Sequence, residues 1–346
     1  MNTLSSLKTS NTESEASFLS SLVGGHIHQL RSVERGRRFV MDGTAFRLVQ
    51  HDRNTVYTLQ RNRKWFLKIV PRAQHRPLLC EKLGALASTC CLNKLEGYHG
   101  PTTFIDMDRG YVLSEAVPGR QFNVALYQGC LRGWVYTTKL RSLFFNLGVS
   151  IATLHRHTAL NGVEPSNRDP CSALSRLLRS CNLDGAMVRP IAQWFDAHTA
   201  PIQNRVFVHG NFKFENSLAV GTKVTILDWE NCGAGSPEVD LSFIALHFVL
   251  LRMAPVVGKL KGSTAFLSFL DGYKSVAHFD ENKLLWYTTC RICSCYLDHC
   301  HVKLSRPRVA GIPLRKDRVE SRVANLIDQY DDLASNGKGL FENGIV

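Results

Sequence analysis

The sequence contains no apolar run that is long and uninterrupted enough to cross a membrane. Residues 241–257 are apolar, but this stretch is too short for a span and is broken by His247 and Arg252, so we expect a buried core helix. Residues 1–24 lack an apolar core, which argues against a secretory signal and predicts a disordered tail. With 346 residues, 44% of them hydrophobic, the chain can bury a full core in one bilobal unit or two domains.

Acidic residues are scarce relative to basic ones. The chain has 29 Asp and Glu against 42 Lys and Arg, a net charge of +13. This excess indicates either a solvated basic surface or an anionic partner, such as a phosphorylated sugar, an acidic glycan or lipid head group, or nucleic acid. No interleaving of basic and aromatic residues supports nucleic acid, and the charge disfavours a polycationic small molecule. Part of the excess lies near the C-terminus, in Lys303, Arg306, Arg308, Arg315, Lys316, Arg318 and Arg322.

Paired metal-binding cysteine knuckles are also missing. Of 11 cysteines, only Cys290 and Cys293 form a Cys-x2-Cys pair, with Cys295, Cys300 and His301 nearby in a predicted helix. A structural zinc site normally needs two such pairs, so we expect packed thiols rather than a metal ligand set. Without a signal sequence, these thiols favour a reducing, cytoplasmic location.

The most informative pattern is a short strand, a polar loop and a β-hairpin. Residues 208–216 read VHGNFKFEN, and residues 217–220 and 223–227 are β-prone runs separated by a Gly-Thr turn. If Val220 faces Lys223, then Asn216 faces Leu227 and lies beside Asp228, about 5 Å across the ladder. Amide and carboxylate oxygens at this spacing suit Mg²⁺, with Asn211 in the preceding loop. Each residue alone could be an ordinary turn or cap residue; together, their spacing predicts a metal site.

These residues resemble the motif of the aminoglycoside phosphotransferase and choline kinase-like family. The family pattern is His-Gly-Asp, four residues to an Asn, a hairpin to Ile-Asp-Trp/Phe-Glu, then Gly-Asp-Pro-x-x-Asp-Leu. This chain has HGN at 209–211, Asn216, LDWE at 227–230 and GSPEVDL at 235–241. The resemblance extends over about residues 40–300 and implies an α+β, bilobal protein-kinase-like fold. Such a fold has a small antiparallel β lobe with one helix and a larger, mainly helical lobe.

The resemblance implies roles for individual residues. Asn216 and Asp228 would hold Mg²⁺, and Asp240 would brace the loop. Asn211 and His209 occupy the catalytic positions, although Asn211 replaces the family's Asp. Ser236 replaces a supporting Asp. The backbone from Glu115 to Val117 would bind adenine.

Phosphoryl transfer also requires a cation on the phosphates, and Lys68 is the candidate. It lies in a strand-like run, 64–70, that follows another strand candidate, 55–59; an outward-pointing edge lysine is the alternative. A helix is predicted from near Pro77 to Gly97. Glu81 in that helix would pair with Lys68 or else be solvated. The inward stripe of this helix is predicted to be Leu79, Leu83, Leu86 and Cys90.

These patterns divide the chain into a nucleotide-binding lobe at 25–118 and a catalytic and substrate lobe at 119–335, with tails at 1–24 and 336–346. The implied function is transfer of the ATP γ-phosphate to a hydroxyl of a small molecule, such as a sugar, amino alcohol or antibiotic. An anionic acceptor is among the options. Because Asn211 cannot take a proton, the alternative is a pseudokinase that binds nucleotide or a protein partner without efficient turnover. The loop at 50–54 lacks glycine, which predicts looser cover of the phosphates.

Overall fold

The computed structural model divides the chain into two compact units. One comprises Met1–Thr89 and Gly100–Pro118, and the other comprises Cys90–His99 and Gly119–Val346. No helix among the described residues is long and apolar enough to cross a membrane. The structure describes residues 3–31, 38–51, 54–71, 75–124, 126, 138–160, 162–166, 168–181, 187–198, 205–253, 263–299, 308–309, 312–328, 330 and 332.

The first unit is built on a six-stranded antiparallel sheet with the order β1-β2-β3-β4-β6-β5. Burial alternates along the strands as a half-buried sheet requires; in β3, Tyr57 and Leu59 are buried. The strands are β1 (Arg38–Met41), β2 (Thr44–His51), β3 (Thr55–Gln60), β4 (Lys64–Ile69), β5 (Thr103–Asp106) and β6 (Tyr111–Glu115). The predicted hairpin of β3 and β4 is confirmed, with Val56 opposite Lys68.

The predicted disordered tail at residues 1–24 is wrong, because Thr3–Arg31 forms a helix, α1. Its apolar side chains recur at helical spacing and pack on the sheet: Ala16, Leu19, Leu22, Val23, Ile27 and Leu30. Glu15 Oε1 also accepts the peptide N–H groups of Asn62 and Arg63, at 3.0 and 3.2 Å, in the turn between β3 and β4. Tertiary packing therefore orders a segment whose Ser- and Thr-rich composition suggested disorder.

Helix α2 (His75–Cys90) begins close to the predicted residue but ends earlier, and a 3-10 turn, Leu92–Lys94, follows it. The predicted inward stripe is wrong: Leu79 and Leu86 are 41% and 52% exposed. The buried face carries Leu78, Glu81, Ala87 and Ser88 instead. This rotation follows from the position of Glu81, which faces the sheet. Within the described part of the chain, the small unit thus carries two helices, α1 and α2, where one was expected.

The second unit is mainly helical. Its helices are α3 (Thr138–His157), α4 (Pro170–Ser180), α5 (Val188–Ala197), α6 (Pro237–Met253), α7 (Ser263–Lys274), α8 (Glu281–Leu297) and α9 (Lys316–Asp328). The expected core helix at 241–257 corresponds to α6; residues 254–257 lie outside the described part. Helices α3 and α7 approach closely, since a Cβ added at Gly148 would lie 2.0 Å from the Phe269 carbonyl oxygen.

Short antiparallel pairs of strands in this unit position the polar loop of residues 209–216. Strand β8 (Val206–Val208) pairs with β11 (Gly233–Gly235), and β9 (Ser217–Val220) pairs with β10 (Lys223–Ile226) and with β7 (Arg120–Gln121). A further pair joins β12 (Arg308–Val309) and β13 (Ile312–Pro313). The polar loop between β8 and β9 is therefore held at both ends by strand pairing. The predicted tail at 336–346 lies outside the described residues.

Candidate active site

The β9–β10 hairpin has the register that the sequence predicted. Val220 faces Lys223 and Ser217 faces Ile226, and the N–H of Leu227 donates to the Asn216 carbonyl oxygen at 2.8 Å. Gly221, with φ of +64°, supplies the left-handed turn residue. The ladder therefore places Asn216 opposite Leu227, directly beside Asp228.

Asn211, Asn216 and Asp228 converge at the open end of this hairpin. Asn216 Nδ2 donates to the Asn211 carbonyl oxygen at 3.0 Å and lies 3.4 Å from Asp228 Oδ2. Because the amide nitrogen is used in this way, Asn216 Oδ1 is the atom left for a cation. Asp228 has φ of +64°, a left-handed conformation that Asp tolerates better than most residues.

His209 braces this loop. Its side chain is fully buried, Nδ1 accepts the Asn211 N–H at 3.2 Å, and Nε2 donates to the Leu227 carbonyl oxygen at 2.9 Å. This pattern fixes one neutral tautomer, and burial lowers the pKa of His209. Both ring nitrogens of His209 are therefore engaged by backbone groups, and its catalytic role stays a prediction.

The buried carboxylate of Asp240 binds the first two residues of this loop. It accepts the N–H groups of His209 and Gly210, at 2.7 and 2.8 Å, and contacts His155 Nε2 at 3.1 Å. Burial alone would raise the pKa of Asp240, but the His155 contact and the backbone donor hold it below its usual value. His155 Nδ1 in turn lies 2.9 Å from the Tyr273 hydroxyl. No local signal in the sequence reveals this contact, since Asp240 lies 85 residues from His155.

Gly210 is required by geometry. Its φ is +74°, and an added Cβ would lie 2.2 Å from the Asn231 carbonyl oxygen and 2.6 Å from Ser166 Oγ. Ser166 Oγ donates to that same Asn231 oxygen at 3.0 Å. The loop between β8 and β9 is thus packed against the segment that precedes α4.

In the first unit, the predicted pair of Lys68 and Glu81 is present. Lys68 Nζ lies 3.0 Å from Glu81 Oε1, and the two side chains are 17% and 8% exposed. The strand β4 and the helix α2 each supply one partner. Such a partly buried pair fixes the ammonium group in position, which a flexible lysine side chain would otherwise not ensure.

The segment Glu115 to Val117 follows the end of β6. The Glu115 N–H donates to the Thr102 carbonyl oxygen at 2.8 Å, and the Ala116 N–H donates to the Lys64 carbonyl oxygen at 2.9 Å. The Glu115 carboxylate binds Arg63 at 2.7 Å. The peptide nitrogens of Glu115 and Ala116 are therefore engaged within the unit.

A metal would have to be held by few protein atoms. No group of three or more His, Cys, Asp or Glu side chains suited to a metal ion occurs among the described residues. Mg²⁺ usually takes only one or two protein oxygens and completes its shell with water and phosphates. One amide oxygen, of Asn216, and one carboxylate, of Asp228, fit that requirement.

Cys290 and Cys293 are buried thiols in α8, as expected, whereas Cys300 and His301 lie outside the described residues. In the basic C-terminal segment, Arg315 pairs with Asp317 at 2.6 Å. Lys303 and Arg306 lie outside the described part of the chain. Ser236, at the position where the family has a supporting Asp, donates a hydrogen bond from its hydroxyl to the Glu238 carboxylate.

Comparison with known proteins identifies the family. The model of the phosphotransferase enzyme family matches residues 45–277, about two thirds of the chain, so this chain belongs to that family. A search of curated protein sequences finds no significant match.

Solved structures share the fold. The amicoumacin kinase hAmiN, solved with AMP-PNP, Ca²⁺ and Ami, is 15% identical with a TM-score of 0.55, covering 93% of this chain and 96% of that one. Macrolide 2'-phosphotransferase MphH from Brachybacterium faecium is 14% identical, with a TM-score of 0.51 and coverage of 94% and 96%. A choline/ethanolamine kinase family protein from Mesorhizobium loti is 14% identical, with a TM-score of 0.51 and coverage of 84% and 91%. At these identities, the likeness confirms the bilobal kinase-like α+β fold alone.

Proposed function

We propose that the protein is an ATP-dependent phosphotransferase that moves the γ-phosphate of ATP to a hydroxyl group of a small molecule. The observation that carries the proposal is the convergence of Asn211, Asn216 and Asp228 at the end of one hairpin. This arrangement combines two oxygen ligands for Mg²⁺ with a polar side chain at the position of the reacting hydroxyl. The family match supports the same reaction class.

Lys68 would bind the α- and β-phosphates of ATP. Glu81 holds its ammonium group at 3.0 Å, and this pairing supports a fixed contact with the phosphates. Because the amides of Glu115 and Ala116 are engaged, the Val117 N–H is the donor left in this segment for adenine. The amicoumacin kinase structure, which contains AMP-PNP and Ca²⁺, supports a nucleotide and a divalent cation as ligands.

Asn216 Oδ1 and the Asp228 carboxylate would hold the Mg²⁺ ion. When bound, this ion neutralises the charge that develops on the phosphates. The left-handed backbone of Asp228 and the hydrogen bond from Asn216 to the Asn211 carbonyl oxygen set the two side chains in place before any ligand binds. Pre-set ligands reduce the entropic cost of assembling the site.

Asn211 would orient the acceptor hydroxyl. Its Oδ1 can accept a hydrogen bond from that hydroxyl but cannot take the proton, which must pass to water when the new bond to phosphorus forms and ADP leaves. General-base assistance typically contributes a factor of about 10²–10⁴. We therefore expect turnover that is slow but dependent on Asn211.

The alternative is a protein that binds nucleotide without turnover, and the identity of Asn211 is the single feature that favours it. The comparisons with known proteins give this alternative no support. The two functions differ in one measurable respect: only the phosphotransferase consumes ATP in the presence of an acceptor.

The test is ATP turnover with Mg²⁺ against a panel of sugars, amino alcohols and antibiotics. We expect acceptor-dependent release of ADP that falls in Asn211→Ala and is retained in Asn282→Ala, which replaces an exposed asparagine on α8. ATP binding without acceptor-dependent turnover for any compound would support the alternative. Turnover that is unaffected by Asn211→Ala would show that another residue orients the hydroxyl.

A further inference from the structure

A pocket on the second unit lies beside α4, outside the residues assigned above. Its volume is about 580 Å³, and α4 and Phe195 of α5 form its walls. Ser172, Ser175, Arg176 and Arg179 line it from one face of α4, because their spacing of three and four residues places them along a single stripe. Two hydroxyls, two guanidinium groups and an aromatic ring therefore face one cavity.

The charge in this pocket is positive. Arg176 and Arg179 are both exposed, and among the described residues neither pairs with a carboxylate; Arg179 instead donates to Ser175 Oγ at 2.8 Å. Two adjacent guanidinium groups without an acid between them repel each other until an anion binds. Neighbouring serine hydroxyls can add further donors to the same anion.

Asp169 is the one acidic residue among the described residues that line the pocket, and its carboxylate is engaged at the start of α4. Its Oδ2 caps α4 by accepting the Ser172 N–H at 2.8 Å. Its Oδ1 is buried and has no hydrogen-bond partner among the described residues. The carboxylate is also close enough to the partly buried Arg291 to oppose the lowering of that residue's pKa by burial. The contacts of this carboxylate are therefore with the start of α4 and with Arg291, and not with Arg176 or Arg179.

The pocket adjoins the loop between β8 and β9 through Ser166. This serine lines the pocket, and its hydroxyl donates to the Asn231 carbonyl oxygen. A Cβ at Gly210 would lie only 2.6 Å from Ser166 Oγ, so the pocket wall touches the residue before Asn211. A small molecule in the pocket is thus next to the loop that carries the proposed reacting position.

We propose that this pocket binds the acceptor and selects a hydroxyl-bearing small molecule with an anionic group, a phosphate or a carboxylate. Arg176 and Arg179 bind the anionic group, the hydroxyls of Ser172 and Ser175 complete its shell, and Phe195 covers the apolar face of the molecule. Arginine suits this role because its planar fork of donors matches both oxyanions. This inference rests on the proposed phosphotransferase function and specifies its substrate class.

Binding without ATP tests the inference independently of turnover. The full-length protein is titrated by calorimetry with glucose 6-phosphate, gluconate and glucose, which share a skeleton and differ in charge. We expect the two anions to bind at least about tenfold more tightly than glucose, since a hydrogen bond to a charged group contributes that much. Arg176→Gln and Arg179→Gln should each weaken the binding of the two anions about tenfold and leave the affinity for glucose unchanged.

Arg141→Gln is the matched control, because Arg141 is exposed on α3 and does not line the pocket. It should leave all three affinities unchanged. Equal binding of glucose and the anions, or anion binding that survives both pocket substitutions, would overturn the inference. Arginine-dependent anion binding without any ATP turnover would establish the anion site and refute the proposed function instead. Turnover of anionic acceptors at the unmodified rate in both arginine variants would refute the inference and leave the function standing.

Discussion

Restoring an acid at position 211 should accelerate the reaction. The main chain of Asn211 is held by contacts with His209 Nδ1, the Lys213 N–H and Asn216 Nδ2, at 3.2, 2.9 and 3.0 Å, and none of them uses the Asn211 side chain. Asn211→Asp is isosteric, so the loop should keep its conformation. The new general base should contribute a factor of about 10²–10⁴, or roughly 3–5 kcal/mol of the barrier.

The lower end of that range applies here. Asn216 Nδ2 contacts both the Asn211 carbonyl oxygen and Asp228 Oδ2, so a carboxylate at 211 is close to Asp228 and the two charges repel. We therefore expect kcat to rise about 10²-fold with little change in the KM for ATP.

The assay is initial-rate release of ADP at saturating ATP, Mg²⁺ and acceptor. Asn282→Asp, which adds the same charge at an exposed position of α8, is the control and should leave kcat unchanged. The Tm of Asn211→Asp should stay within about 3 °C of the unmodified protein, which separates a catalytic effect from a folding one. A kcat that does not rise in a stable, ATP-binding variant would refute the assignment of residue 211 to the reacting position.

Three further predictions concern the supports of the site. Gly210→Ala should lower the free energy of unfolding by at least about 2 kcal/mol in denaturant titration, because the added Cβ would lie 2.2 Å from a carbonyl oxygen. Gly221→Ala is the control: Gly221 has φ of +64° but open space around it, so the substitution should cost only about 1 kcal/mol. Equal costs would contradict the steric argument. Because burial lowers the pKa of His209, its contribution to the free energy of unfolding should be fully present above about pH 6.5 and should decline as the pH falls below that value. Denaturant titration of His209→Gln should therefore show a flatter dependence of this free energy on pH between about pH 7 and 5. Lys68→Gln should weaken ATP binding about tenfold in calorimetry, whereas Lys64→Gln, at an exposed position of the same strand, should not. If the two variants bind ATP with the same affinity, Lys68 does not contact the phosphates.

The sequence was sufficient where local rules determine geometry. The turn at Gly221 fixes the hairpin register, and the register fixes Asn216 beside Asp228, so counting residues reproduced the observed ladder. The pairing of Lys68 with Glu81 followed from the order of a strand and a helix together with the family resemblance. In α3, apolar residues at three- and four-residue spacing, Leu143, Leu147, Ile151 and Leu154, are buried, since a single helix face meets the core.

The sequence was insufficient where tertiary contacts override local signals. Helix α1 depends on apolar contacts with a distant sheet, and its polar composition concealed them. In α2, a stripe chosen by hydrophobicity placed Leu79 and Leu86 inward, whereas the ion pair of Glu81 turns both outward. The pocket beside α4 left no motif, because its side chains have ordinary surface composition and only the fold brings Ser166 against Gly210.

The central claim is that Asn216 and Asp228 form the metal site of a nucleotide-binding protein, and the most direct test is the effect of Mg²⁺ on ATP affinity. Calorimetry should compare the unmodified protein with Asp228→Ala, each with Mg²⁺ and with a chelator. The account predicts that Mg²⁺ tightens ATP binding by about tenfold or more in the unmodified protein and by less than about twofold in the variant. Absence of ATP binding, or the same Mg²⁺ effect in both proteins, would contradict it.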